Sequence, residues 1–303
     1  MEKEHWYMIL SGIFLGTIVF GGQLFINTGL STYEISLFRL LPALFIMGTV
    51  VFLKKYKITK EMIPIFLIFG VIGPVGVLSQ YGALAFGISV PVAVFLMYTQ
   101  PIWTTIIGKM FFKENINKTK IIAVLLSLMG IFIIADPLNI ETTGNIIGII
   151  LALIAGITIS LWVACGKKAG IKKFDPALTL FIYVVATITF LLITQPIAHS
   201  ILQDPTLTKL SFDISSDVWG LFALFSIVSY IIPHFLMYKG IKKLPIIDTG
   251  IILMLEPIAG SLLAFVFLTQ PITLNIIAGG ALILASNYLV ISKKEKNQVG
   301  KST

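Results

Sequence analysis

The chain has 303 residues, of which 57% are hydrophobic and 12% charged, with a mean hydropathy of +0.97. Soluble domains carry roughly a quarter charged residues, so composition excludes an ordinary water-soluble fold and points to a membrane protein. The net charge of +8 is spread over short stretches between apolar runs, which speaks against a nucleic-acid partner, and the lone Cys165 excludes an internal disulfide or a cysteine metal cluster.

A bilayer-spanning helix needs about 20 predominantly apolar residues. Apolar windows near 6–26, 33–53, 62–85, 90–112, 118–135, 144–165, 175–196, 217–238, 245–268 and 272–291 predict ten spans. The start, "MEKEHWYMILSGIF", has no small-residue cleavage site and reads as a retained first span. That span offers Gln23 and Asn27 in "GGQLFIN" as polar wall candidates. Gly12 and Gly16, like Gly144 and Gly148 at the start of the sixth span, form GxxxG pairs suited to close helix approach. Arg39 lies six residues into the second span, about 9 Å deep at 1.5 Å per residue. It reaches either an anionic group in a cavity or, by snorkelling, the headgroups. The third span adds Gln80 and Tyr81.

In the fourth span "FLMYTQPIWTTI" sets Tyr98, Gln100 and Pro101 in the middle of an apolar run. A proline interrupts a helix, and a polar side chain at that depth needs a partner. Trp162, near the inner end of the sixth span, reads as an interface-belt residue ahead of a stacking surface. "SYIIPHFLMYKG" in the eighth places Tyr230, His234 and Tyr238 on one helix face with a kink at Pro233. His234 is a second candidate for handling protons, set against a satisfied histidine near the membrane edge. Asp248 begins the ninth span, where a helix N-terminus stabilises a carboxylate. Glu256, immediately before Pro257, is the sharpest signal, because a charge at mid-membrane costs about 2.5–3.5 kcal/mol on insertion scales. It suits a proton relay, a counter-charge for an amine, or a bond to backbone freed at Pro257.

With the N-terminus in the cytoplasm, all but two of the 22 Lys and Arg residues fall on the cytoplasmic side; the exceptions are Arg39 and Lys209. This bias predicts that both termini are cytoplasmic. Ten spans divide into two fives, 1–140 and 141–303, and an odd number of crossings forces the second copy to be inverted. "TQPIWTTIIGKMFFKENI" (99–116) can be laid on "LEPIAGSLLAFVFLTQPI" (255–272), so that Pro101 meets Pro257 and Gln100 meets Glu256. Inverted repeats are a known plan of secondary transporters, with substrate handled where the repeats meet. Gln100 and Glu256 are thereby expected to face a shared cavity.

Over residues 6–291 the chain resembles the drug/metabolite transporter superfamily, and within it the EamA-type ten-helix family. The likeness is carried by "YGALAFGISVPVAVFLMYTQPIWTTIIGKMFFKENI" (81–116), "KLPIIDTGIILMLEPIAGSLLAFVF" (243–267) and Arg39 in "SLFRLLPALFI". "KEN" at 113–115 stands where the family usually has Gly-Glu, which leaves Glu114 with no expected role beyond orientation. The resemblance implies an all-α basket of two inverted five-helix repeats, with spans 1, 3, 4, 6, 8 and 9 around a central cavity. It also implies export of small metabolites, with amino acids or related amphipathic compounds favoured.

No metal-spaced histidine pair, phosphate loop or protease signature occurs, so neither an enzyme nor a cofactor is expected. The expected partners are a small-molecule substrate and the bilayer, with proton coupling and a homo-oligomer left open. An exchanger of anionic metabolites such as sugar phosphates and a non-transporting receptor or assembly subunit stand as alternatives.

Overall fold

A computed structural model describes residues 2–18, 25, 29–86, 90–136, 146–268 and 272–299. Among these, all regular structure is helical. In chain order the helices are α1 (Lys3–Leu15), α2 (Thr32–Phe38), α3 (Leu41–Leu53), α4 (Ile63–Ala85), α5 (Val90–Met97), α6 (Gln100–Phe112), α7 (Lys118–Ala135) and α8 (Ile146–Ile171). Then follow α9 (Pro176–Leu202), the single turn α10 (Pro205–Thr208), α11 (Ser216–Phe225), a π-helical segment (Ser226–Ile231), α12 (Ile232–Gly240), α13 (Ile246–Ile252), α14 (Leu255–Leu268) and α15 (Leu274–Val299). A 3-10 turn, Lys60–Met62, leads into α4. Gln23, Asn27, Gly144 and the division at 140/141 lie outside the described residues.

Eight helical stretches are long and apolar enough to cross a membrane: Thr32–Leu53, Lys60–Ala83, Lys118–Ala135, Ile146–Ile171, Pro176–Leu202, Ser216–Gly240, Ile246–Phe267 and Leu274–Ser292. The sequence predicted ten. The fourth expected span, whose helix stops at Met97 and restarts at Gln100, is not among the eight, and only part of the first lies among the described residues. Large apolar side chains stand exposed around the outside, among them Phe45 at 73%, Phe52 at 80% and Leu274 at 81%. A monomer in water does not tolerate so much exposed apolar surface; against acyl chains it is the expected exterior.

Four prolines stand where helices restart, whereas Pro74 and Pro196 lie inside the unbroken helices α4 and α9. Pro42, Pro101 and Pro257 each stand within the first turn of a restarting helix, α3, α6 and α14, and Pro233 opens α12 directly after the π segment. A proline has no N–H to give to the preceding turn and crowds the carbonyl four residues back, whereas at the start of a helix that N–H is not needed. The chain turns at Arg39–Leu40, Tyr98–Thr99 and Leu253–Met254.

Two of these breaks are braced by glycines of the other half of the chain. A Cβ on Gly156 of α8 would lie 2.7 Å from the carbonyl oxygen of Met97, and one on Gly16, just past α1, would lie 2.8 Å from that of Glu256. Only a residue without a side chain lets the backbones come so close. The exchange is reciprocal: the second half braces the break in the first, and the first braces the break in the second.

The ends of the bundle are tied by polar contacts. At one end Glu114 accepts hydrogen bonds from the N–H groups of Ile246 (2.6 Å) and Ile247 (3.2 Å), so it caps α13 from the opposite half. Lys120 lies 3.2 Å from Asp248 and 3.7 Å from Glu114. Lys167 donates to the carbonyls of Ile241, Lys242 and Leu244. Lys243 stands 2.6 Å from Glu4 and holds that carboxyl below its ordinary pKa. At the other end Ser31 and Glu34 form a reciprocal cap on α2, and the second oxygen of Glu34 accepts from the N–H of Ser211 at 2.8 Å.

Candidate functional site

A cavity of about 100 Å³ lies where α1, α4, α8, α9, α12 and α14 meet beside the break between α2 and α3. Its polar lining comes from Arg39, Gln80, Thr158, Trp162, Tyr183, Tyr230, His234 and Glu256. The breaks put the charged members there. Arg39 caps the end of α2, and Glu256 stands in the first turn of α14. Each occupies a turn where the chain changes direction at a proline instead of the smooth flank of a continuous helix.

Arg39 is buried, at 6% exposure, and its Nε has no hydrogen-bond partner. No ion pair joins it to any carboxylate among the described residues. Its guanidinium lies over the ring of Tyr230, 5.7 Å from the centroid, a cation–π contact that offsets only part of what desolvating a charge costs. Glu256 is half-buried at the same cavity. The Tyr98 side chain, which comes from the break of the opposite half, interacts electrostatically with its carboxyl. The cavity thus holds one cationic and one acidic group that are not paired with each other.

Rings from three helices form one wall. Tyr183 stacks on Tyr230, with centroids 6.0 Å apart and planes at 13°, and on His234 at 5.7 Å. His234 packs 4.1 Å from Tyr230 and 4.8 Å from Trp162. His234 Nδ1 lies 2.7 Å from the carbonyl oxygen of Tyr230. A carbonyl can only accept, so Nδ1 carries the proton and donates, leaving Nε2 of the neutral ring as an acceptor. Trp162 Nε1 donates to the Tyr238 hydroxyl at 2.8 Å, which fixes the indole. This chemistry suits a compact organic molecule with a polar head and an apolar or flat body.

Of the residues singled out in the sequence, Glu256, His234, Arg39, Tyr230 and Gln80 line this cavity. Gln100, Tyr98 and Tyr81 are buried but are not among its lining residues. Gln100 carries Nε2 without a partner, while its backbone carbonyl accepts from Ser160 at 3.0 Å. Gln100 and Glu256, matched by the repeat, thus occupy different surroundings. Trp162, read from its position as a belt residue, instead lines the cavity and is 8% exposed. Tyr183 and Thr158 were missed, because a tyrosine or threonine inside an apolar run carries no proline or charge to mark it.

Helices of membrane-crossing length, a lipid-compatible exterior and a polar cavity at the meeting of two broken helices define a multi-pass membrane transporter. The model of the EamA-like transporter family matches the chain over residues 3–135 and again over 146–292. The chain belongs to that family and carries its repeated architecture. It is 24% identical to an uncharacterized transporter of Clostridium kluyveri, covering 98% of this chain and 95% of that one. It is also 24% identical to uncharacterized transporters of Archaeoglobus fulgidus, over 68% of this chain and 70% of the relative, and of Bacillus subtilis (YyaM), over 77% and 74%. A solved crystal structure superposes with a TM-score of 0.75 over 96% of this chain and 98% of the other at 11% identity, a likeness of fold alone.

Proposed function

We propose that the protein is a secondary carrier in the cell membrane that exports a small amphoteric metabolite, an amino acid or a related compound, by alternating access. In this reading it has ten membrane helices in two inverted five-helix repeats, 1–140 and 141–303, with both termini in the cytoplasm, and it performs no catalysis. The observation that carries the proposal is the presence of Arg39 and Glu256 on one cavity without an ion pair between them. Arg39 receives the substrate carboxylate in a bidentate pair. Glu256 receives the substrate amine or carries a proton in exchange for it, and Tyr98 orients the carboxyl. His234 and the aromatic wall pack the body of the substrate. Gln80 supplies an amide at the rim.

The test is counterflow in proteoliposomes loaded with a mixed pool of amino acids, polyamines, nucleosides and sugar phosphates. An amphoteric compound is expected to leave selectively, and Glu256→Gln is expected to remove the response to a pH gradient. A second reading, exchange of anionic metabolites, draws on the unpaired guanidinium. It predicts that sugar phosphates move and that Glu256→Gln has no effect, while Arg39→Lys, which loses the bidentate fork, abolishes movement.

A further inference from the structure

A second cavity, of about 270 Å³, lies at the Glu34 end of the bundle and is lined by Leu30, Glu34, Lys209, Ser211, Asp213 and Val218 among others. It is separated from the central cavity by a layer of aromatic rings. Phe25 stacks on Phe222, with centroids 4.0 Å apart and planes at 7°, and packs edge-on to Phe225 at 5.2 Å. Phe38 contacts Trp219 at 4.9 Å, Phe212 at 5.3 Å and Phe222 at 5.8 Å. Phe38 and Phe222 are fully buried.

Chain order fixes the layer between the two cavities. Along the second span Glu34 lines the larger cavity, Phe38 the layer and Arg39 the central cavity. Along the eighth, Val218 lines the larger cavity, Phe222 the layer and Tyr230 the central cavity. We infer that the cavity beside Glu34 is the antechamber through which substrate passes between the central cavity and the medium, and that the aromatic layer is the gate between them.

The eighth span contains the means to move it. The π segment Ser226–Ile231 lies directly between α11, which carries Trp219 and Phe222, and α12, which carries His234. Such a segment holds one extra residue in its turn. Rewinding it to α-helix turns α11 by about 100°, one residue's share of a 3.6-residue turn, and carries Trp219 and Phe222 off Phe38. On the α12 side the segment is anchored, since the Thr17 hydroxyl donates to that of Ser229 at 2.6 Å. The buried Ser226 hydroxyl at the α11 side has no hydrogen-bond partner among the described residues, so it has no such bond to lose when the turn rewinds. Ser211 N–H on Glu34 is the strap that must release with it.

The side of the membrane to which the gate opens rests on the topology proposed above; the gate itself does not. The experiment needs no substrate. Val77, which lines the central cavity, is replaced by cysteine in a Cys165→Ser background, and the reconstituted full chain is treated from each side with a membrane-impermeant methanethiosulfonate. Phe38→Ala and Phe222→Ala are expected to speed modification from the Glu34 side by about tenfold or more, because closed states lose their seal. Phe222→Leu, which keeps most of the volume and protects the fold, should give an intermediate rate, and Phe45→Ala on the exposed face of α3 the parental one. Acceleration from the cytoplasmic compartment instead would support the gate and reverse the topology. A parental rate in folded Phe38→Ala and Phe222→Leu proteins would overturn the inference.

Discussion

Arg39 and Glu256 both belong to a class that a membrane interior rarely holds without a use. An unpaired buried guanidinium is costly, and a ligand carboxylate is the partner that the proposal supplies. Tyr98→Phe removes the hydroxyl that interacts with Glu256, and a side-chain hydrogen bond inside a membrane is worth about 0.6 kcal/mol on average. The folded protein should keep its melting temperature within a few degrees while the pH profile of transport shifts; an unchanged profile would make Tyr98 a packing residue only. Glu256 and Arg39 were legible in the sequence because a charge in an apolar run has few innocent explanations. Gln100 was readable as unusual but not as to its surroundings, since pairing it with Glu256 came from aligning two repeats, and alignment carries no information on where a side chain points. Tyr183 was not legible at all: its place depends on how α9 rotates against α12.

Among the elements, the breaks before Pro101 and Pro257 were readable from the proline and the polar residue beside it taken together, since proline alone leaves α4 and α9 unbroken at Pro74 and Pro196. The break at Arg39–Leu40 likewise has Pro42 two residues on. The π segment left no such mark, as one extra residue in a turn has no signature in composition. Gly12 and Gly16 were readable as a packing pair. Gly156 was not, because its neighbour one turn on is Ser160 and the pair lacks a second glycine. Gly156→Val places a branched side chain where even a Cβ would lie 2.7 Å from the Met97 carbonyl. Overpacking of this kind costs about 1–3 kcal/mol, so the melting temperature of the purified protein should fall. Gly220→Ala, where nothing stands within 4 Å of the added Cβ, should leave it unchanged. Equal melting temperatures for Gly156→Val and the parent would show that the two helices part more easily than their contact implies.

For the whole molecule, hydropathy gave the membrane class and eight of the ten expected spans, and the family match agrees with the resemblance read from the two proline-centred stretches. What joins the halves lay beyond sequence. Glu114 is an ordinary loop glutamate until the fold brings it to the start of α13, where both its oxygens receive N–H groups of the other half. Glu114→Ala strips that cap, a loss of about 1 kcal/mol, and unfastens one end of the bundle. Faster modification of a cavity cysteine from the Glu114 end is the expected outcome, while a drop in stability with no change in access would assign Glu114 to folding alone.

In the proposed carrier, Arg39 and Glu256 together hold one amphoteric substrate. Counterflow of the mixed metabolite pool, run on the parent, Arg39→Lys and Glu256→Gln with and without a pH gradient between about pH 5 and 8, tests it most directly. Selective, gradient-sensitive loss of an amphoteric compound is expected from the parent, no movement with Arg39→Lys, and no gradient response with Glu256→Gln. Equal movement of the same compound by all three folded proteins would contradict it.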